Sequence, residues 1–247
     1  MKIYSPSYKR ADGLKTHRLL PNVIYCIHEA DYKDYKKNDI NIEVLPNGIQ
    51  GNIARVRNYI KDNLIKDKGI LIDDDIEDIK IWNWKNEKPV SETIQNIEEF
   101  FEKAFVLCEE TNCRLWGVNI VGDKGSYREY TPLSFTNWIS GSLMGFLNND
   151  LTFDERIPLK EDLDFCLQTL NQYRKLLRFN YVNLVKKDHG NLGGCADYRT
   201  IIKEKEQFNI FQKKWGSKIV KLDTTQKGKK KKGYDINPII KVPIKGV

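Results

Sequence analysis

Short apolar runs alternate with segments of helical periodicity along the first part of the chain. Runs of strand length occupy residues 2–4, 22–28, 41–45 and 70–72. Between the last two runs, apolar residues recur at helical spacing: Ile53, Val56, Ile60 and Leu64. This β-α-β rhythm predicts an α/β fold with a mainly parallel central sheet and helices on both faces.

The alternation continues in the second half. Helices are predicted from a Ser91 cap through Cys108, from Pro158 to Leu177, and from an Asp197 cap to Gly216. Strands are predicted at residues 114–121, 141–146 and 181–185. After residue 222 the composition turns polar and rich in lysine. We therefore expect one domain over residues 1–222 and a basic tail over residues 223–247.

Composition narrows the class of protein. A chain of 247 residues with 40% hydrophobic residues can build one sizeable core. No apolar run has the length of a bilayer span, and the N-terminus lacks a signal-peptide hydrophobic region, so a cytoplasmic location is expected. The five cysteines are odd in number and show no CxxC spacing, which favours reduced thiols over a zinc site.

The net charge of +7 is concentrated near the C-terminus. Five of these charges come from Lys227 and from residues 229–232, so the rest of the chain carries only about +2. A lysine run of this kind suits contact with nucleic acid or another polyanion. A solvated linker explains it equally well, and the sequence alone does not separate the two.

Three aspartates follow the apolar run Ile70-Leu71-Ile72 directly. Adjacent carboxylates repel one another unless a cation is present, and hard divalent cations prefer oxygen ligands. In an extended segment Asp73 and Asp75 would point to one side and Asp74 to the other. Ligands of such sheets bind beyond the carboxyl ends of the strands, which favours a metal site over a solvated strand end.

Other phosphate and metal motifs fit the chain less well. It contains neither a P-loop GxxxxGK[ST] nor a dinucleotide-binding GxGxxG. An EF-hand loop starting at Asp73 would need glycine where Asp78 stands.

Several motifs in order resemble the GT-A superfamily of nucleotide-sugar glycosyltransferases over residues 1 to about 220. The strand ending in Asp73-Asp74-Asp75 resembles the DXD motif, and residues 140–146 resemble the segment that lines the sugar and acceptor site. Residues 153–155 and 160–164 resemble the FDE…ED segment of inverting members, and His189 resembles their C-terminal histidine. Processive synthases are disfavoured because their QxxRW motif is missing, and one retaining family because its KPW ending is missing.

Two further segments are similar to phage-type DNA glycosyltransferases, the TET-associated glycosyltransferase group. They are residues 5–12, Ser-Pro-Ser-Tyr-Lys-Arg-Ala-Asp, and the helix at residues 53–58. This resemblance implies transfer of sugar to hydroxymethylated pyrimidines in DNA.

The resemblance implies a donor site for a UDP-sugar with Mn²⁺ or Mg²⁺. Nucleotide and diphosphate contacts are expected from seven residues: Ser5, Ser7, Tyr8, Arg10, Arg55, Asp73 and Asp74. Asp75 and His189 would bind the metal ion. An ordinary surface loop, a solvated helix face and a structural histidine are the alternatives for these positions.

The resemblance likewise places catalysis and the acceptor in the second half of the chain. Asp162 is the candidate general base, and Asp164 would support the site or cap its helix. Acceptor contacts are expected from Trp138, Ser140, Gly141 and Glu161. Acidic residues at a helix start are also favoured by the helix dipole alone, and Trp138 suits core packing as well.

Three functions remain open from the sequence. The favoured one is a metal-dependent inverting glycosyltransferase acting on hydroxymethylpyrimidine in DNA. A second is a transferase for polysaccharide or protein, in which the lysines contact an anionic membrane or acidic partner. A third, from another class, is a non-catalytic nucleic-acid-binding protein with structural aspartates. A sugar-nucleotide pyrophosphorylase is weaker, because its glycine-rich phosphate loop is missing.

Overall fold

A computed structural model describes residues 1–86, 88–122, 127–186, 194, 198–223 and 236–242. Its strands are β1 Lys2–Pro6, β2 Ile24–His28, β3 Asn41–Leu45, β4 Lys68–Ile72, β5 Asp78–Lys85, β6 Lys88–Thr93, β7 Leu115–Asn119, β8 Leu133–Ser134, β9 Leu143–Leu147, β10 Leu177–Val185, β11 Val220–Leu222 and β12 Pro238–Ile240. Its α-helices are α1 Tyr32–Tyr35, α2 Ile53–Tyr59, α3 Ile97–Glu110, α4 Glu161–Tyr173 and α5 Ile201–Trp215. A π-helical turn, Ile60–Leu64, extends α2.

Within these residues, ten strands form one mixed sheet in the order β3-β2-β1-β4-β9-β7-β10-β5-β6, with β8 beside β10. The first four are mutually parallel, and β10 is parallel to β7. β9 and β5 run antiparallel to both of their neighbours, and β8 runs antiparallel to β10. Seven of the ten strands therefore share one direction, which confirms the predicted α/β fold with a mainly parallel sheet.

Helices cover both faces of this sheet because its central strands are apolar on both sides. On β4, Ile70 and Ile72 enter the core cluster that contains Phe101 and Phe105 of α3. Leu71, which points the other way, enters the cluster under α2 and α4. The loops at the carboxyl ends of the parallel strands are thereby held on a packed three-layer base.

Some predicted boundaries are wrong for local reasons. Ser91 lies in β6, and α3 begins instead at Ile97, where the Asn96 side chain accepts a hydrogen bond from Glu99 N. α4 ends before Leu177 because Arg174 adopts a left-handed conformation, φ 67°. Asp197 lies outside the described residues, and Thr200 caps α5 by accepting from Lys203 N.

The chain beyond β11 returns to the domain. β12 pairs antiparallel with β11, and Lys241 N donates to Ile219 O. Val242 packs against the cluster beneath α4. β11 ends at Leu222, and residues 236–242 beyond it pack on the folded unit. The division of the chain at residue 222 stays a prediction. The five clustered lysines lie outside the described residues. No described helix is long and apolar enough to cross a membrane.

Candidate functional site

The loop after β1 and the aspartates after β4 lie side by side, because β1 and β4 are parallel neighbours. The Thr16 hydroxyl donates to Asp73 O at 2.6 Å, and the backbone N–H groups of Lys15 and Thr16 donate to Asp74 O. These bonds fix the turn of residues 73–75, the aspartate turn, against the segment that follows β1.

Asp74 is the most deeply placed of the three carboxylates. Its Oδ2 accepts from Ser7 Oγ at 2.5 Å, and its Oδ1 lies 3.2 Å from Arg10 Nη1. Burial raises the pKa of Asp74 to about 6, although Arg10 and Ser7 act in the opposite direction. Asp74 therefore joins the two loops and sets the position of Arg10.

Asp73 faces two cationic side chains. Lys186 Nζ lies 3.2 Å from its Oδ2, and Arg57 Nη2 lies 3.8 Å from its Oδ1. Burial acts to raise the pKa of Asp73, but Lys186 and Arg57 outweigh it and the pKa is lowered. Lys186 also donates to Ser142 Oγ at 2.9 Å, so Asp73 is tied to the start of β9.

Asp75 has an acceptor atom with no partner. Its Oδ1 is buried without a hydrogen bond, while its Oδ2 lies 3.6 Å from Arg10 Nη1. Burial, and after it the charge of Asp73, raises the pKa of Asp75. Because Asp74 and Asp75 both face Arg10, the predicted alternation of sides does not continue past Ile72, where the strand ends and the chain turns.

Arg57 links the aspartates to the second half of the chain. It is 5% exposed; its Nη1 lies 2.6 Å from Glu161 Oε1, and its Nη2 donates to Gly141 O at 3.0 Å. A Cβ on Gly141 would lie 2.1 Å from Arg57 Nη1, so only glycine admits this approach.

Glu161 and Asp162 begin α4 beside the same glycine. Asp162 Oδ2 accepts from Gly141 N at 3.0 Å, and its Oδ1 accepts from Leu163 N at 2.8 Å. Burial raises the pKa of Glu161 against the opposing charge of Arg57. The structure therefore brings Asp162, Glu161 and Gly141 together and connects them through Arg57 to Asp73.

The model of the TET-Associated Glycosyltransferase family matches residues 1–194. The chain belongs to this family. Its membership confirms the predicted resemblance and the predicted class of enzyme, a glycosyltransferase.

Among solved structures, the crystal structure of S. aureus TarS 1–349 is similar to this chain, with 14% identity and a TM-score of 0.45. The match covers 74% of this chain and 60% of that one, so the chain spans less than two thirds of the TarS structure. No curated protein matches the sequence.

In this family member, β1 and the segment after it contain four of the residues predicted for the nucleotide: Ser5, Ser7, Tyr8 and Arg10. Ser5 is fully buried, and its Oγ has no hydrogen-bond partner. Tyr8 is half-buried, and its carbonyl accepts from Gly194 N at 3.1 Å. Arg10 reaches the aspartates as described, whereas Arg55 pairs with Glu155 at 2.9 Å and donates to Gly48 O. Arg57, two residues further along α2, occupies the place beside the aspartates.

The predicted acceptor residues are partly assembled. Ser140 Oγ lies 3.3 Å from Ser142 Oγ, close to Gly141 and Asp162. Trp138 is half-buried and packs on the cluster under α4, where it borders a cavity of about 200 Å³ with Cys166 and Leu170. Its carbonyl accepts from Arg178. Asp164 is fully buried and bonds Lys214 and Trp215 of α5, so it connects α4 to α5.

The predicted metal ligand His189 lies outside the described residues. The chain on either side of it is at the site: Lys186 contacts Asp73, and Gly194 contacts Tyr8. In the part of the chain that the structure describes, no three His, Cys, Asp or Glu side chains are arranged as metal ligands. The pair of Asp75 and His189 therefore remains a prediction.

The sequence assigns no individual role to Arg57 or Lys186, and it indicates Ser142 only as part of the segment 140–146. A signal existed for Arg57, because it stands four residues after Ile53 and three before Ile60, on the apolar stripe of α2. A charge on a buried stripe indicates a buried partner. Lys186 and Ser142 reach Asp73 because β9 and β10 lie near β4 in the sheet. The order of strands in a sheet cannot be read from the local sequence pattern.

Proposed function

We propose that the protein is a metal-dependent inverting glycosyltransferase that moves a sugar from a UDP-sugar to the hydroxyl of a hydroxymethylpyrimidine in DNA. The observation that carries this proposal is the position of the aspartate turn. The aspartate turn contacts the loop after β1 through Asp74. On its other side, Asp73 faces Arg57, and Arg57 bonds Gly141, which lies beside Asp162. One site thus has a nucleotide side and an acceptor side.

The nucleotide side is formed by the end of β1 and the loop after it. Ser5, Ser7, Tyr8 and Arg10 line it, and Asp74 orients Arg10 by an ion pair. The hydroxyl of Ser5 and the Nε of Arg10 are buried without partners, so both can bond a polar ligand without giving up a bond within the protein. Tyr8 would stack on the base, and Arg10 would contact phosphate or ribose.

The chemistry of Asp75 fits a divalent cation. A buried, unpartnered carboxylate oxygen with a raised pKa, next to another carboxylate, is stabilised by added positive charge. Asp75 would hold the ion, and His189 would complete its protein ligands. When bound, a divalent cation supplies Lewis-acid stabilisation of the departing diphosphate.

Lys186 and Arg57 add fixed positive charge on the acceptor side of the aspartates. Both face Asp73, and Arg57 is also held by Glu161 and Gly141. A buried guanidinium held from two sides needs little rearrangement when charge develops nearby. These two side chains would hold the donor so that its anomeric carbon faces Gly141 and Asp162.

Asp162 would act as the general base. The acceptor hydroxyl oxygen forms its bond to the anomeric carbon while the bond from that carbon to the diphosphate oxygen breaks. The hydroxyl proton moves to Asp162, and UDP leaves with the electron pair. Both oxygens of Asp162 accept backbone N–H bonds, which fixes the direction in which the carboxylate points.

The DNA acceptor is supported by the family and by the chain's charge. The matching family is described as TET-associated, and five lysines are clustered between residues 227 and 232. A base inside a duplex would have to leave the stack to reach the site.

The test is transfer from UDP-sugars to an oligonucleotide with one 5-hydroxymethylcytosine, read by mass spectrometry. We expect a mass increase of one sugar with this oligonucleotide and none with its cytosine counterpart. Asp162→Asn should lower the rate by about 10²–10⁴ while leaving UDP affinity unchanged, because only proton removal is lost. The exposed Asp39→Asn is the matched control. Transfer only to a saccharide, lipid or protein would refute the DNA acceptor.

A further inference from the structure

A row of polar side chains crosses the sheet away from Asp73. Asp73 N bonds Ser142 O, and the β7–β9 register, continued by two residues, sets Ser142 opposite Asn119. Asn119 pairs with Asn183 on β10, and Asn183 pairs with Lys80 on β5. Directly opposed residues share a face of the sheet, so these side chains form one row at one level.

The row lies on the face that carries the reacting groups. Leu71 and Met144, two residues before Asp73 and two after Ser142, belong to the core cluster beneath α2 and α4. Arg57 of α2 and Asp162 of α4 reach Gly141 from that layer. Asn119 and Asn183 therefore extend the polar floor of the site beyond Ser142.

Asn183 is expected to lower the stability of the folded protein at this position. It is 3% exposed on a central strand, and its Oδ1 is buried with no hydrogen-bond partner. An unpaired buried polar group costs free energy that an apolar side chain of the same size would avoid. Such a group in a packed sheet indicates a ligand that completes its hydrogen bonds.

The loop after β7 approaches this amide closely. A Cβ on Gly122 would lie 3.2 Å from Asn183 Nδ2, so any larger residue at position 122 would crowd the amide. Trp82 stands two residues after Lys80 on β5, and its Nε1 is likewise buried without a partner. An unpartnered acceptor and an unpartnered donor on neighbouring strands match a ligand that presents both.

We propose that Asn183 is the specificity-determining residue of an acceptor subsite, where its amide hydrogen-bonds the Watson–Crick edge of a hydroxymethylpyrimidine. This inference rests on the proposed function. A carboxamide offers one acceptor and one donor side by side, and a pyrimidine edge offers the complementary pair. Asp73 and Asn183 are separated by three strand spacings, about 14 Å, a length comparable to that of a donor sugar and a base placed end to end.

Substitutions at Asn183 and Asn180 should have different effects on oligonucleotide binding and on thermal stability. Asn183→Leu keeps the size of the side chain and removes no hydrogen bond of Oδ1, so the melting temperature should stay equal or rise. Asn180 is the matched control: it is also buried, but its Nδ2 donates to Thr131 O and its Oδ1 accepts from Arg178 Nε. Asn180→Leu breaks both bonds and should lower the melting temperature by about 4 °C or more.

The experiment measures binding of three single-stranded oligonucleotides by fluorescence anisotropy, with saturating UDP and Mn²⁺. They carry 5-hydroxymethylcytosine, cytosine or an abasic site at one position. Wild type should prefer 5-hydroxymethylcytosine over the abasic site by roughly tenfold, the size of a good base contact. Asn183→Leu should abolish this preference with unchanged UDP affinity, measured by calorimetry, and an unchanged or higher melting temperature.

Two other results overturn the inference in distinguishable ways. If wild type shows the preference and Asn183→Leu keeps it, or melts as low as Asn180→Leu, the subsite is wrong and the proposed function stands. If wild type binds UDP but shows no preference for 5-hydroxymethylcytosine over either of the other oligonucleotides, the DNA acceptor fails and the subsite fails with it.

Discussion

At the scale of single residues, the three adjacent aspartates have three different environments. Lys186 and Arg57 lower the pKa of Asp73, whereas burial raises the pKa of Asp74 and of Asp75. The sequence shows the cluster and its position after a strand, and this much is predictable. Which cation meets which carboxylate depends on Arg10, Arg57 and Lys186, which are contributed by three separate parts of the chain.

Gly141 provides a prediction at this scale. Because an added Cβ would lie 2.1 Å from Arg57 Nη1, Gly141→Ala must displace the guanidinium from Gly141 O and from Asp73. We expect a loss of about 1–3 kcal/mol in the free energy of unfolding and a loss of sugar transfer. Urea unfolding and the transfer assay measure the two effects.

Gly13→Ala is the control for that substitution. At Gly13 the nearest heavy atom to an added Cβ is 4.0 Å away, so stability and transfer should be retained. Equal behaviour of the two alanine variants would show that Arg57 does not depend on the glycine.

At the scale of elements, periodicity predicts that α3 and α4 exist because each has a long apolar stripe, but it misplaces their ends. It misses the β5–β6 hairpin. On β5, Ile79, Lys80 and Ile81 begin an alternation of apolar and polar residues, but Trp82 interrupts it. The following strand, β6, contains few apolar residues. Tertiary contacts with β10, rather than a clean alternation, decide that this segment is extended.

The contact between α4 and α5 provides the second prediction. Asp164 is fully buried, accepts from Trp215 Nε1 at 2.7 Å and pairs with Lys214 at 2.8 Å. Asp164→Asn leaves Lys214 without that charge partner. The free energy of unfolding should fall by about 2 kcal/mol, or about 4–8 °C in melting temperature. Calorimetry measures the shift.

UDP affinity at 10 °C should be unchanged in Asp164→Asn, because Asp164 contacts none of the residues that line the nucleotide side. Glu206→Gln, on the exposed face of α5, should change stability by less than about 0.5 kcal/mol. A loss of UDP binding with normal stability would mean that Asp164 belongs to the site.

At the scale of the whole molecule, the α/β class follows from the rhythm of the sequence, but the sheet order does not. β9 enters antiparallel between β4 and β7, and this insertion brings Ser142 beside Asp73. The local sequence pattern does not indicate which strands become neighbours in the sheet. The pairing of β12 with β11 is unpredictable for the same reason, because a polar, lysine-rich stretch separates the two strands in the sequence.

The five clustered lysines provide the third prediction. Replacing Lys227 and residues 229–232 by glutamine should weaken binding of single-stranded DNA and flatten its dependence on salt. The slope of log K against log salt should fall by up to about 0.7 for each lysine. UDP affinity should not change. Substitution is preferable to truncation, because residues 236–242 pack on the domain. An unchanged slope would assign the lysines to a solvated linker.

The proposed function depends on a metal-assisted nucleotide-sugar site at the aspartate turn. Its most direct test is calorimetric binding and hydrolysis of a panel of UDP-sugars, with and without Mn²⁺, for wild type, Asp75→Asn and the exposed control Asp39→Asn. We predict Mn²⁺-dependent binding of at least one UDP-sugar, kept in the control and weakened at least about tenfold in Asp75→Asn, with no loss of thermal stability. UDP-sugar affinity that is absent, or that is the same with and without Mn²⁺ in all three proteins, would rule out a metal-assisted nucleotide-sugar site at the aspartate turn.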